Sequence, residues 1–288
     1  MPYVKVGEEN SGDIEIYYED LGAGQPVVLI HGFPLNGHSW EKQTAMLLDK
    51  GFRVIAYDRR GFGDSSQPSR GYDYDTFAED LNKLMTTLDL TDAVLIGFSM
   101  GTGEVTRYLS TFGSERVSRA ILIGAIPPFL LKTDDNPEGV DQSVFDDIKK
   151  AIASDRPSYF TTFFENFYNT DKLGGGILSK ARITDEAVQM NWNIAVKASA
   201  IGTLKCVDTW LTDFRDDLPK IDVPTLIIHG DDDRILPFDS TAKRLPDSIK
   251  NSRLVVIEGG PHAIIWTHAD EVNPEILKFL GQANEKMA

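Results

Sequence analysis

Apolar runs alternate along this chain with stretches whose apolar residues recur at helical spacing. The runs fall at residues 27–30, 53–57, 93–96, 119–124, 225–228 and 254–257 and read as strands, those before Asp233 and His262 as buried ones, and the aliphatic and β-branched make-up of 93–96 fits a strand covered on both faces. Helical spacing predicts a helix capped by Ser39 that runs through Leu48 and stops near Gly51, and another over 74–88. A third carries Glu104, Val105, Tyr108, Leu109 and Phe112 up to a stop at Gly113, and Val272, Ile276, Phe279 and Leu280 mark a last amphipathic helix. Residues 3–6 and 14–19 read as an opening pair of strands, with 21–26 as the turn into the first buried run. Alternation of this kind predicts an α/β fold, a mostly parallel sheet with helices on both faces.

Between residues 126 and 218 the alternation stops. The segment opens on Pro127-Pro128, carries a loop at Gly174-Gly175-Gly176, and places Tyr159, Phe160, Phe163, Phe164, Phe167 and Tyr168 on one helix face. It reads as a helical cap, residues 126–218, inserted into a core made of residues 1–125 and 219–288. The aromatic stripe has two compatible roles, docking the cap on the core and lining an apolar substrate pocket.

A serine stands where one of the apolar runs ends. Ala93-Val94-Leu95-Ile96 leads into Gly97-Phe98-Ser99-Met100-Gly101, so Ser99 falls at a turn from buried strand to helix, the setting of a nucleophile elbow. Gly97 and Gly101 lack side chains, which permits the strained turn and close helix–strand packing. A serine hydroxyl is a poor nucleophile until a base takes its proton and an acid orients that base. His262, in Gly259-Gly260-Pro261-His262, and Asp233, in Gly230-Asp231-Asp232-Asp233-Arg234, each lie just past a strand, where an open parallel sheet presents functional groups. The chain order Ser99, Asp233, His262 is that of α/β-hydrolase triads.

Composition does not separate the three consecutive aspartates; spacing favours Asp233, and at least two of them read as solvated turn residues. His38 and His268 read as helix-flanking residues and His229 as a strand end. Acyl transfer also needs two donors where the oxyanion forms. One is the Met100 amide after the nucleophile; the second is the Phe33 amide in His31-Gly32-Phe33-Pro34, since Pro34 has no N–H. Pro34, Phe164, Trp210 and Ile264 are the candidate substrate-lining side chains.

Composition narrows the partners. In 288 residues, 29 basic against 44 acidic side chains give a net charge of -15, which repels nucleic acid and anionic membranes and favours a small or uncharged ligand. The single cysteine, Cys206, excludes an intramolecular disulfide and a thiolate zinc site, and reads as an inert buried thiol. No histidine or carboxylate set has metal-ligand spacing, so neither metal nor cofactor is expected. Met1-Pro2-Tyr3-Val4-Lys5 lacks an apolar signal region, and no run approaches the roughly 20 apolar residues of a membrane span, so a soluble cytoplasmic protein is expected.

At this point the chain resembles the cofactor-free haloperoxidases, or perhydrolases, of the α/β-hydrolase fold, a family that also includes arylesterases and gamma-lactamases. The resemblance spans nearly the whole chain. It rests on His31-Gly32-Phe33-Pro34-Leu35, Asp58-Arg59-Arg60-Gly61-Phe62-Gly63, Gly97-Phe98-Ser99-Met100-Gly101-Thr102-Gly103-Glu104, Asp134-Asp135-Asn136-Pro137, and His262 with Trp266-Thr267-His268-Ala269-Asp270-Glu271-Val272-Asn273. It implies Ser99 as nucleophile, Asp233 as acid, His262 as base, the Phe33 and Met100 amides as oxyanion hole, a helical cap over the pocket, and a tendency to form homo-oligomers. It further implies small esters, lactones or lactams as substrates, and hydrogen peroxide as an alternative to water that yields peracid. In that family a proline at the position of Pro34 accompanies perhydrolysis. The chain departs from the pattern at Ala263, where glycine is expected after the histidine, and at 173–182, which reads as expanded.

Other readings fare less well. A haloalkane dehalogenase or epoxide hydrolase would carry aspartate at position 99, and Gly101-x-Gly103-x-x-Thr106 lacks the third glycine of a dinucleotide site. A ligand receptor that borrowed the fold and kept the triad is the alternative that only turnover separates.

Overall fold

The computed structural model describes residues 2–175 and 181–281. Its sheet has eight strands in the order β1-β2-β4-β3-β5-β6-β7-β8: β1 (Tyr3–Glu9), β2 (Gly12–Gly22), β3 (Pro26–Ile30), β4 (Arg53–Tyr57), β5 (Ala93–Phe98), β6 (Val117–Ile123), β7 (Thr225–Gly230) and β8 (Ser252–Ile257). β1 and β2 pair antiparallel, β2 joins β4 antiparallel, and β3 to β8 run parallel to one another. The apolar runs at β3, β5 and β7 are buried almost throughout. β8 departs from the expectation of a buried strand: it closes one edge of the sheet, only Ile257 is buried, and Val256 is 43% exposed. An apolar run records the side chains and not whether a further strand lies beside them.

The helices are α1 (Glu41–Asp49), α2 (Tyr74–Thr87), α3 (Met100–Phe112), α4 (Gln142–Tyr168), α5 (Thr170–Leu173), α6 (Asp185–Lys197), α7 (Ala200–Thr209), α8 (Ile264–Thr267) and α9 (Ala269–Phe279). The chain steps from β3 to β4 in one direction, then from β4 across to β5 and on to β6 in the other. Right-handed crossovers therefore put α1 on one face of the sheet and α2 and α3 on the other. α2 packs against α3, and α1 against α8 and α9. Ser39 is not the cap of α1. Asn36 accepts the His38 N–H and opens a 3₁₀ turn, Gly37–Trp40, ahead of α1, while the Ser39 hydroxyl donates to the Asn36 carbonyl at 2.8 Å. Among the described residues no helix is long and apolar enough to cross a membrane.

α4 to α7 occupy the chain between β6 and β7. α4 bends at Asp155 (φ -154°, ψ 87°), where Pro157 cannot continue the hydrogen-bond ladder and Asp155 caps the second half by accepting the Ser158 N–H. Of the aromatic stripe that follows, Phe160, Phe163, Phe164, Phe167 and Tyr168 are buried. Gly176 and half of the expanded stretch 173–182 lie outside the described residues.

Ser99 joins β5 to α3 with φ 52° and ψ -120°, a region L-residues rarely adopt. Gly101 lets the helix press onto β3: a Cβ there would stand 2.2 Å from the Ile30 carbonyl oxygen. One turn along α3, Glu104 is buried and pairs with buried Arg59 at 2.7 Å, with Tyr57 donating to the same carboxylate. Removing one partner of a buried ion pair leaves an uncompensated charge. Glu104→Ala should therefore cost about 3–5 kcal/mol of stability, read as a lowered denaturation midpoint; a change within 1 kcal/mol of the parent, on the order of an exposed pair, would contradict the structural role.

Candidate active site

β3 and β5 are neighbours, but the chain leaves them toward opposite edges of the sheet, which opens a crevice beyond their carboxyl ends. The loop after β3 and the elbow after β5 meet in that crevice. They approach so closely that a Cβ on Gly32 would stand 2.8 Å from the Ser99 Cβ, so only glycine fits there. The Leu35 amide closes the turn on the Gly32 carbonyl at 3.1 Å, across a cis Phe33-Pro34 peptide.

Buried groups hold this loop from behind. His31 donates from Nδ1 to the Gly32 carbonyl at 2.9 Å and accepts the Arg59 amide on Nε2 at 2.9 Å, while the Arg59 guanidinium donates to the His31 carbonyl at 2.8 Å. Burial first, and the nearby Arg59 charge second, push the His31 imidazole well below its ordinary value, so the neutral ring these bonds require is the stable one. Among the described residues, the Phe33 and Met100 amides have no protein acceptor. Met100 also begins α3, where the helix dipole favours negative charge.

His262 lies in the loop after β8 and Asp233 in the loop after β7. His262 Nε2 is 2.8 Å from Ser99 Oγ, and Nδ1 is 2.7 Å from Asp233 Oδ2. The imidazole is buried between the rings of Phe98 and Phe167, each with its centroid 5.1 Å away. Asp233 Oδ1 accepts the Ile235 and Leu236 amides at 2.9 and 2.8 Å. Burial alone would raise its pKa, but the His262 and His229 contacts outweigh it and hold the carboxyl well below the usual range. These contacts therefore favour Asp233 as the carboxylate.

The structure separates the three aspartates, and neither neighbour of Asp233 is simply a solvated turn residue. Asp231 accepts the Gly259 amide at 2.7 Å. Asp232 accepts from Asn169 at 2.8 Å and pairs with Lys172 at 2.6 Å, and Arg234 pairs with Asp171 at 2.8 Å. With the Ala263 amide donating to the Phe167 carbonyl at 3.0 Å, these contacts tie the end of α4 and α5 to the loops carrying Asp233 and His262.

A cavity of about 150 Å³ opens on Ser99, a volume of the order that holds one benzene ring. Its wall is mostly apolar and includes Phe33, Phe145, Tyr159, Phe163 and Trp210, with Arg234 also contributing. Of the candidate lining residues, only Trp210 is on this wall. Phe164 turns about 100° from Phe163 around α4 and packs on Phe167 and Tyr168. Ile264 is buried beside Gly260, and Pro34 stays buried next to Phe33 without reaching the cavity. Within the stripe, Tyr159 and Phe163 face the cavity, while Phe160 packs on Phe33 and Phe167 on Phe98 and His262.

Two features escaped the sequence reading. His229, at the end of β7, contacts Asp233 Oδ2 at 3.2 Å. Gly124, at φ 57°, backs the His262 ring, where a Cβ would stand 3.3 Å from Cε1. Cys206 is buried and its thiol is pushed up to about 12 by that burial, which keeps it unreactive. Among the described residues no three His, Cys, Asp or Glu side chains come together as metal ligands.

A family model described as alpha/beta hydrolase fold matches residues 25–269. A protein of Synechocystis sp. named "Putative non-heme chloroperoxidase" is 71% identical over 97% of this chain and 100% of its own length. A "Bifunctional esterase/perhydrolase" of Acinetobacter calcoaceticus is 34% identical over 96% or less of either chain, covering 93% of this one and 96% of its own. The crystal structure of a bromoperoxidase from Bacillus anthracis is 45% identical, with a TM-score of 0.90 over 97% of this chain and 99% of that one.

The contacts predict unequal aspartates. Asp233→Asn should lower kcat by roughly 10⁴-fold, because an amide neither holds His262 in the tautomer that accepts the Ser99 proton nor balances its charge. Asp231→Asn and Asp232→Asn should stay within about tenfold of the parent. The rate should rise through one acid limb, and His262→Ala should remove that limb with most of the rate. Esterase assays of the four variants across pH decide this; a more severe loss at Asp231 or Asp232 would contradict it.

Proposed function

Because the chain belongs to the family of alpha/beta-hydrolase-fold proteins, we propose that it is a metal-free serine hydrolase acting on small carboxylic esters, lactones or lactams. The single observation that carries this reading is the continuous hydrogen-bonded line Ser99–His262–Asp233 at the floor of an apolar cavity. His262 takes the Ser99 proton as Oγ attacks the carbonyl carbon, and the Phe33 and Met100 amides receive the developing oxyanion. His262 then protonates the leaving oxygen or nitrogen, leaving an acyl-enzyme. Water, deprotonated by the same imidazole, releases the acid.

Hydrogen peroxide in place of water at that last step gives a peracid and free enzyme. The peracid oxidises halide in solution, being reduced to the acid as hypohalous acid forms. Such an apparent haloperoxidase activity accords with the names of the relatives and requires no metal at Ser99. Residues 126–218 act as a cap over the core, and the cavity volume suits an acyl or leaving group about one ring in size.

The alternative, a receptor on this fold, predicts at most slow single release from a p-nitrophenyl ester. The hydrolase should give sustained turnover that EDTA leaves unchanged, and Ser99→Ala should lower it roughly 10³-fold or more with the fold intact. Activity of Ser99→Ala within tenfold of the parent would sink the reading. Pro34 fixes its own φ and restricts Phe33 before it. Pro34→Leu should then reduce the ratio of peracid formation to ester hydrolysis several-fold, measured on one ester over a series of peroxide concentrations; a parallel fall of both rates would reduce Pro34 to a loop-shaping residue.

A further inference from the structure

Asp233 Oδ2 is shared. Besides His262 Nδ1 at 2.7 Å, it lies 3.2 Å from Nε2 of His229, a residue buried at the end of β7 and four positions earlier in the chain. The other contacts of this second imidazole fix which nitrogen carries its proton. Nδ1 lies 3.2 Å from the Ala125 amide nitrogen, which can only donate, so Nδ1 accepts. Nε2 faces two acceptors, the Leu236 carbonyl at 3.0 Å and Asp233 Oδ2, so the ring proton sits there. The His229 ring cannot serve as a base for Ser99 in this arrangement, since both nitrogens are engaged.

We propose that His229 is a positioning residue for the reaction: its Nε2–H clamps Asp233 Oδ2 and draws charge from it, which sets how strongly Asp233 favours the protonated form of His262. The inference rests on the serine-hydrolase reading above. A carboxylate oxygen accepting two donors divides its charge between them, so removing one leaves more charge facing the other. The same histidine joins three elements that must keep register: the end of β6 at Ala125, the end of β7, and the loop through Leu236 that also holds Asp233 Oδ1.

The surroundings leave few competing groups. Among the described residues, Asp233 is faced by the two imidazoles and the Ile235 and Leu236 amides, and His262 by Asp233, Ser99 and the rings of Phe98 and Phe167. His229 faces the Phe238 ring on its open side. The nearest charged neighbours in the chain, Asp232 and Arg234, are held by Asn169, Lys172 and Asp171. A shift in the pH profile is thus attributable to the Asp233–His229 contact.

The test compares the full-length parent with His229→Leu, His229→Asn and His229→Gln. Leu removes the donor, the shorter Asn cannot carry it to Asp233, and the Gln amide nitrogen can occupy nearly the place of His Nε2. In His229→Leu and His229→Asn, kcat should fall by about tenfold and its acid limb should move up by about half a pH unit or more, because the extra charge on Asp233 stabilises imidazolium. His229→Gln should restore the parent limb. A limb unmoved in both donorless variants, or one that Gln leaves displaced, would overturn the proposal, since lost packing alone lowers the rate without moving the limb. Imidazole nitrogen NMR of the unaltered protein keeps the test decisive if the variants fold poorly: the His229 proton should be found on Nε2, and an Nδ1-protonated ring would refute the clamp. The two readings fail separately, because an active His262→Ala would dismiss the hydrolase mechanism, whereas an inert His229 with an essential His262 dismisses the clamp alone.

Discussion

Ser99 holds a backbone conformation that costs an L-residue on the order of 1–3 kcal/mol, and the packing of α3 onto β3 and β5 is what keeps it there. The helix can come that close because Gly101 puts no carbon against Ile30, where a Cβ would stand 2.2 Å from the carbonyl oxygen. Relaxing the turn would move α3 off the sheet and open the core beneath it. The same approach puts the Met100 amide at the start of the helix beside the hydroxyl of Ser99, and it sets the elbow against the Gly32 backbone. The strain at one residue is therefore inseparable from the place where the Ser99 hydroxyl and the Phe33 and Met100 amides meet.

A second layer fixes the parts that the elbow does not reach. Arg59 and Glu104, both buried, join β4 to α3, and Arg59 holds His31, which holds the Gly32 carbonyl. On the far side, the His262 and His229 imidazoles favour the ionised form of Asp233 against the cost of its burial, and two amides hold its other oxygen. The aspartate run also divides its contacts: Asp231 holds the loop before His262, Asp233 bonds the imidazole, and Asp232 with Arg234 holds the end of α4 and α5. Geometry at Ser99 and access to it are coupled through one short loop.

Much of this was legible in the chain. The apolar runs give β3 to β7, the serine after Ile96 gives the elbow, and the order of Ser99, Asp233 and His262 follows from where strands end. What was not legible depends on partners distant in sequence. Ser39 and Asn36 are both good caps, and only the 3₁₀ turn decides for Asn36. Phe163 and Phe164 differ by about 100° around a helix whose phase is reset by the bend at Asp155, so the stripe alone does not say which ring meets the cavity. The run at β8 looks like its neighbours, yet among the described residues no strand lies beyond it in the sheet. His229 reads as a strand end because nothing in Thr225 to Gly230 reveals that Ala125 and Leu236 will fix its tautomer. A histidine closing an otherwise apolar strand, four residues before a candidate acid, is the signal that was there to be used.

The most direct measurement is the site of covalent capture. A fluorophosphonate reacts with a serine hydroxyl only where a base removes its proton and donors receive the developing charge, which is the arrangement assigned to Ser99. Peptide mass spectrometry of the inactivated protein should find one stoichiometric adduct, on Ser99, with loss of esterase activity in proportion to labelling. A stoichiometric adduct on another residue, or full labelling of Ser99 with activity retained, would contradict the account.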